Sequence, residues 1–323
     1  MIKEKPMDRL AIVVPCYNEE EVLPLCLTGL REVLRNLIQA QKISADSFIL
    51  FVNDGSKDRT WEILSEEQSR SEDICAIRLA KNVGHQNALL AGLFKAKDMA
   101  DMIVSIDADL QDDVSVIGDM VDAFHNGKDI VYGVRSSRKT DSFMKRNTAQ
   151  LFYKLLHVMG VETVYNHADY RLMSKRAVNE LFRYEESNVY LRGMVPLLGY
   201  ESEQVFYERK ERAAGTSKYP FKKMLSLALD GITSFSVKPI SMIITLGILV
   251  LVCCFAAAVY AFISYFSGTV EKGWTSLILS IWFLGGVQLL SIGIVGEYIG
   301  KIYKEVKRRP KYNIETCLEP GKK

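Results

Sequence analysis

Short apolar runs rich in β-branched residues punctuate the first part of the chain. They fall at residues 10–14, 48–53, 74–79, 102–106 and 129–134, each of a length that suits one buried strand. Between them, apolar residues recur at helical spacing over residues 20–39, 60–69, 86–97 and 115–126. Strands alternating with helices at this rhythm predict βαβ units and an α/β domain with a mainly parallel sheet. The strands are apolar almost without interruption, so both faces of the sheet should be covered by helices.

The pattern changes character near the C-terminus. Residues 239–270 and 273–296 contain no Asp, Glu, Lys or Arg, and only Glu271 and Lys272 separate the two runs. About 20 apolar residues suffice to cross a bilayer core, so the runs predict a transmembrane hairpin over 239–300. Two helices buried in a soluble core would be the alternative, but two such runs in succession argue against it. Basic residues crowd the outer flanks: Lys218, Lys222, Lys223 and Lys238 before, and Lys301, Lys304, Lys307, Arg308, Arg309 and Lys311 after. The connector near 267–272 carries one Lys balanced by one Glu. This asymmetry predicts a multi-pass protein of the cell inner (plasma) membrane with both termini, and the α/β domain, in the cytoplasm. Gly293, Gly296 and Gly300 have small-residue spacing, which leaves a homo-oligomer and a monomer equally open. Residues 143–159 and 221–238 mix Lys or Arg with apolar residues, as an interfacial helix does and as an ordinary core helix also can.

Charge and cysteines narrow the class. The 323 residues include 41 Lys and Arg against 39 Asp and Glu, so no polycationic character points to nucleic acid. Six cysteines form no Cys-x-x-Cys pair, which argues against a zinc site or a disulfide-stapled fold. No Walker A or Gly-x-Gly-x-x-Gly fingerprint occurs, which disfavours kinase-like and dehydrogenase chemistry.

Ligands on a parallel sheet gather at the carboxyl ends of its strands, and here those ends are acidic. Pro15-Cys16-Tyr17-Asn18-Glu19-Glu20-Glu21 follows the first strand, Asn53-Asp54-Gly55-Ser56-Lys57-Asp58 the second, and Asp107-Ala108-Asp109-Leu110-Gln111-Asp112-Asp113 the fourth. Turn and capping chemistry alone would explain Asp54 and Gly55. It explains Asp107 and Asp109 less well, because neighbouring like charges repel unless a cation lies between them. Hard oxygen ligands suit Mg²⁺ or Mn²⁺.

These stretches, together with Asn82-Val83-Gly84-His85-Gln86, Asp169-Tyr170-Arg171-Leu172-Met173 and Gly215-Thr216-Ser217-Lys218-Tyr219, resemble the family-2 glycosyltransferases of GT-A fold. Within that family the chain is similar to polyprenyl-phosphate sugar transferases, which include dolichyl-phosphate mannose synthases and bactoprenol glucosyltransferases. The tail Gly296-Glu297-Tyr298-Ile299-Gly300-Lys301-Ile302-Tyr303 resembles the bacterial subgroup with two membrane spans. Val114 departs from the pattern, since relatives commonly place proline there.

The resemblance implies a domain plan and a set of roles. A cytoplasmic GT-A domain would occupy 1–220, an interfacial helix 221–238, two transmembrane helices 239–300 and a basic tail 301–323. Pro15, Tyr17, Glu19, Asp54 and Asp107 would line the nucleotide-sugar pocket, and Asp109 and Gln111, with Asp107, would hold Mg²⁺ or Mn²⁺. Asp169 would act beside the acceptor, either as base or as positioning group; a structural role, as a cap or as the partner of Arg171, is the alternative. Arg135 and Arg138 would meet the lipid phosphate, and Arg212 and Lys218 would belong to a loop closing over donor and acceptor. The implied reaction is inverting transfer of one sugar, with UDP-glucose the first choice of donor, to polyprenyl (undecaprenyl) phosphate. UDP-N-acetylhexosamine, GDP-mannose and UDP-4-amino-arabinose remain alternative donors, and a catalytically silent scaffold that binds only nucleotide or lipid is the competing class. A processive synthase is disfavoured because none of Trp61, Trp274 and Trp282 lies in a Gln-x-x-Arg-Trp motif. A separate flippase and a downstream glycosyltransferase would complete the route.

Overall fold

A computed structural model of the chain describes residues 7–136, 167–186, 189–208, 238–266 and 273–319. These belong to two compact units. The first holds the N-terminal residues to Tyr153, then Glu162–Tyr219 and Arg309–Lys323; the second holds Lys154–Val161 and Pro220–Arg308.

In the first unit β1 (Leu10–Cys16), α1 (Leu23–Gln39), β2 (Phe48–Asn53), α2 (Thr60–Arg70), β3 (Ile74–Leu79), α3 (His85–Ala96) and β4 (Met102–Ser105) follow one another. A 3₁₀ turn (Val114–Val116) then leads into α4 (Ile117–His125) and β5 (Ile130–Arg135). Next come β6 (His167–Ser174), α5 (Lys175–Leu181), α6 (Leu191–Leu197) and β7 (Ser202–Tyr207). After the second unit, β8 (Ile314–Leu318) returns to the first.

The strands lie in the order β7-β5-β6-β4-β1-β2-β3-β8. β1 is parallel to β2 and β4, β2 to β3, and β5 to β7. β6 runs antiparallel between β4 and β5, and β8 antiparallel beside β3. The mainly parallel sheet expected from the sequence is therefore present, with two reversed strands added.

Alternation along β1 shows why both faces are apolar. Leu10, Ile12 and Val14 join a core with Leu23, Leu27, Leu30 and Leu34 of α1 and with Ile117 and Met120 of α4. Val13 faces the opposite way, towards α3. A Cβ on Gly92 of α3 would lie 2.4 Å from Val13 Cγ1 and 2.7 Å from Val52 Cγ2, so only glycine lets that helix approach so closely.

β8 closes the β3 edge of the sheet. Its alignment is supported by the Arg78–Glu315 pair at 3.2 Å, by Lys95–Glu319 at 2.7 Å, and by Gln68 Nε2 donating to the Glu319 carbonyl. Residues 314–318 of the expected basic tail are thus part of the sheet.

The second unit contains two long helices, α7 (Lys238–Phe266) and α8 (Trp274–Lys307). At 1.5 Å per residue their 29 and 34 residues span about 43 and 51 Å, more than a hydrocarbon core of about 30 Å. Among the described residues, Phe283–Lys307 is long and apolar enough to cross a membrane, and Pro239–Val250 is a shorter apolar stretch. Phe255, Tyr260, Phe266, Leu289, Ile292 and Val306 all stand exposed. α8 ends at Arg308 in a left-handed conformation, with Lys304 and Lys307 in its last turn, where positive charge favours the helix dipole. The expected interfacial segments 143–159 and 221–237 and the connector 267–272 lie outside the described residues.

Truncating the full chain after Tyr312 removes β8 and uncovers a strand edge. Its melting temperature in detergent should fall by about 4 °C or more, taking about 2–4 °C per kcal/mol for a domain of this size. An unchanged melting temperature would show that β8 adds nothing to the sheet.

Candidate active site

The parallel strands bring their carboxyl ends to one edge, and β6, being reversed, brings its beginning there. Pro15 is buried at the end of β1, whereas Tyr17 is exposed. Asn18 adopts φ 55°, a conformation that asparagine tolerates, and ties the first loop to the second: its N–H donates to Ser56 Oγ and its Oδ1 accepts from Lys57 N. Glu19 N donates to Thr60 Oγ1, while the Glu19 carbonyl accepts from Val22 and Leu23 at the start of α1.

Asp54 is buried and accepts from the amides of Val83 (2.7 Å) and Gly84 (3.0 Å). Burial pushes its carboxyl up, opposed by these two amides. The carboxylate therefore shapes the loop that starts α3. Gly55 beside it has φ 65°, and a Cβ there would lie 2.6 Å from Asn82 N and 2.7 Å from the Lys81 carbonyl carbon, so no side chain fits.

At the end of β4, Leu110 is held at φ 54°, an uncommon conformation for a branched side chain, and Gln111 N donates to Asp109 Oδ1 at 3.2 Å. Asp113 caps the following turn by accepting from Ser115 N and Oγ. That cap starts the turn that begins at Val114.

The register of β4 against β6 pairs Ser105 with Arg171, and its extension sets Asp107 opposite Asp169. Asp107 Oδ1 is buried without a hydrogen-bond donor, the nearest cation being His85 Nε2 at 3.4 Å. Burial pushes the Asp107 carboxyl up; His85 opposes the rise, and Asp169, Asp112 and Asp109 add to it. Asp107, Asp109 and Gln111 supply oxygen donors, and the orphaned acceptor on Asp107 fits a hard cation. Among the described residues no three acidic, His or Cys side chains converge as a metal cage. Mg²⁺ and Mn²⁺ do not need one, because waters and substrate phosphates complete their shells.

Asp169 is buried and differs sharply from its neighbour. Its Oδ1 accepts from Arg171 Nη2 (2.7 Å) and Arg192 Nε (3.2 Å), and its Oδ2 from Gln86 Nε2 (3.0 Å) and Arg192 Nη2 (3.1 Å). His85 Nε2 lies 3.6 Å from Oδ2. Burial alone would raise its pKa, but Arg192, His85 and Arg171 together hold the carboxyl well below the usual range. Burial also works against a charged His85, yet Asp169 and Asp107 outweigh it and raise the imidazole to about 9. A carboxylate so stabilised is a poor proton acceptor.

Arg135 ends β5, as expected, but is engaged there. Its Nη2 donates to Asp112 Oδ1 at 3.2 Å and its Nε to Tyr207 Oη at 3.4 Å, while Tyr207 Oη donates to Asp112 Oδ1 at 2.6 Å. Arg138, Arg212 and Lys218 lie outside the described residues. The sequence assigns no role to His85, Gln86 or Arg192, and offers Arg171 only as a structural partner of Asp169, a pair the structure contains. His85 and Gln86 stood inside a recognised motif, whereas Arg192-Gly193 carried no signal of its own.

Residues 11–182 match the domain described as Glycosyl transferase family 2. The uncharacterized glycosyltransferase YkoT of Bacillus subtilis is 56% identical over 309 residues, spanning 96% of this chain and 92% of the relative. The chain belongs to glycosyl transferase family 2. It is a glycosyltransferase, and its sheet is of the GT-A type. The SfII prophage-derived bactoprenol glucosyl transferase of Shigella flexneri is 38% identical over 309 residues, 95% of this chain and 97% of its own length. Among solved structures, the mannosyltransferase PcManGT from Pyrobaculum calidifontis, in complex with GDP-Man and Mn²⁺, aligns over 95% of this chain and 92% of its own. That alignment has a TM-score of 0.43 at 15% identity.

Asp112 is buried, so Arg135→Ala should leave its carboxylate without a cation, held only by the Tyr207 hydroxyl. The cost should be about 2 kcal/mol, below the range for a fully buried pair because Arg135 is partly exposed, which lowers the melting temperature by about 4–8 °C. An unchanged melting temperature would instead leave Arg135 free to serve as a phosphate ligand.

Proposed function

We propose that this family-2 enzyme transfers a single sugar from a nucleotide-sugar to polyprenyl (undecaprenyl) phosphate at the cytoplasmic face of a membrane. The observation that carries the reading is the division of charge at the sheet edge. Asp107, Asp109 and Gln111 offer oxygens to a cation, while Asp169, directly opposite, is already saturated by two arginines and a glutamine. The first group suits a donor diphosphate and the second suits the place where an anionic acceptor arrives. The bactoprenol glucosyl transferases of Shigella flexneri and its phages, similar to this chain nearly end to end, support the acceptor class.

UDP-glucose is the donor we assign first, with UDP-N-acetylhexosamine, GDP-mannose and UDP-4-amino-arabinose as the other choices. Mg²⁺ or Mn²⁺, when bound by Asp107, Asp109 and Gln111, would neutralise the departing nucleoside diphosphate. Pro15, Tyr17, Glu19 and Asp54 would flank the nucleotide, Asp54 through the 83–84 loop that it holds. The acceptor phosphate has a second pKa of about 6 and needs no proton removed at neutral pH. Asp169 is therefore read as a positioning and electrostatic group, and transfer as a single inverting displacement. Arg138, Arg212 and Lys218 keep their proposed places beside the lipid phosphate and donor.

The membrane plan belongs to the same proposal. α7 and α8 would form a hairpin in the plasma membrane, with residues 221–238 at the interface and both termini cytoplasmic. A separate flippase would turn the product across the bilayer for a downstream glycosyltransferase.

The purified full-length chain, given labelled UDP-glucose, undecaprenyl phosphate and Mg²⁺ or Mn²⁺, should form a lipid-linked sugar. Asp109→Ala should lower kcat/KM by about 10²-fold or more. Absence of labelled lipid with all four donors would sink the proposal.

A further inference from the structure

The hydrogen bonds of Asp169 do more than neutralise it, because the same partners also grip the start of α6. Gln86 donates to Asp169 Oδ2 through its Nε2, while its Oε1 accepts from Leu191 N at 3.0 Å. Arg171 donates to Asp169 Oδ1 through Nη2, while its Nη1 donates to the Leu191 carbonyl at 3.2 Å. Both peptide groups of Leu191 are thus held by residues that hold Asp169. Arg192, next in the chain, closes the ring by binding both carboxylate oxygens. Ser105 Oγ donates to the Asp169 carbonyl at 2.6 Å, which anchors its main chain to β4 as well.

A carboxylate has about four lone-pair sites, and the two arginines and the glutamine fill all four. The plane of the Asp169 carboxylate is therefore fixed by β6, α3 and α6 together. Stability alone is a poor explanation for this arrangement. Arg171 is fully buried, with Nε lacking any acceptor, and an unpaired buried donor costs folding free energy. Apolar side chains in place of the whole Asp169–Arg171 pair would avoid that cost.

We infer that Gln86 and Arg192 are positioning residues of the transfer reaction, which fix the Asp169 carboxylate and lock the first turn of α6 to it. The inference rests on the proposed function, since it supposes that Asp169 lies beside the acceptor. Arg192 suits the task through its planar fork, which can meet both oxygens at once, as a lysine ammonium cannot. Gln86 suits it because one amide supplies a donor to the carboxylate and an acceptor to the Leu191 peptide.

Two measurements on the full-length chain test this. In lipid-glycosylation kinetics, Gln86→Leu and Arg192→Lys should each lower kcat by about tenfold or more, with the KM for the nucleotide-sugar unchanged. In an Asp169→Asn background, each should cost less than about twofold, because residues acting through one carboxylate are non-additive. Losses that persist undiminished in that background, or variants with unchanged kcat, would overturn the inference. The second measurement needs no activity. The Leu191 amide should exchange its hydrogen about tenfold faster in Gln86→Leu, and also faster in Asp169→Asn, which releases the far end of Gln86. Leu191 protection indifferent to Asp169→Asn would refute the clamp. If the wild-type chain moved no sugar at all, the proposed function would fall, and the exchange result would still decide whether Gln86 couples Asp169 to α6.

Discussion

The carboxylates of Asp107 and Asp169 come close just beyond the end of the β4–β6 ladder, and the candidate site is built around that repulsion. The antiparallel register of β4 and β6 leads Asp107 and Asp169 to the same place. Like charges so placed in a partly buried site would be costly unless each found its own compensation. The protein resolves the conflict unequally. Asp169 receives Arg171, Arg192 and Gln86, whereas Asp107 keeps a buried oxygen without a donor. One carboxylate is locked into the protein, and the other keeps the buried open oxygen on which the proposed cation site rests.

The sheet topology makes this division available. Parallel β1, β2 and β4 deliver the loops at Tyr17, Asp54 and Asp109 to one edge. A wholly parallel sheet would add only strand ends there. Reversed β6 adds a strand beginning: Arg171 pairs with Ser105 and Tyr132, and Ser105 Oγ holds the main chain of Asp169 just beyond. Arg135 and Tyr207, from the ends of β5 and β7, then secure Asp112 on the far side of the acidic run.

Much of this was legible in the sequence, for physical reasons. β1 to β5 are buried, apolar and bounded by turn residues, so their positions read directly, as did the helices between them. β6 was hidden because Asp169 and Arg171 interrupt its apolar run, and the further partners that make burial of this pair tolerable, Gln86 and Arg192, are distant in sequence. β7 reads as polar because Ser202, Glu203 and Gln204 lie exposed. β8 lies beyond the long apolar helix, where composition suggested only a basic tail. The acidic strand ends were recognisable by their crowding. Arg192 was not, because its partner is 23 residues away and the contact depends on α6 folding back over β6. Arg135 shows the converse limit: a basic residue at a strand end reads as a phosphate ligand, and its pairing with buried Asp112 does not show in the sequence.

The division of charge is tested most directly by thermal unfolding of the full-length chain with a nucleoside diphosphate and Mn²⁺, each alone and both together. With both present at about 100 times their dissociation constants, binding should stabilise the folded state by about 2.7 kcal/mol. Either alone should do far less, and Asp107→Asn should abolish the joint effect. Stabilisation by the nucleotide that ignored both Mn²⁺ and the Asp107 substitution would contradict the assignment of that carboxylate to a shared cation.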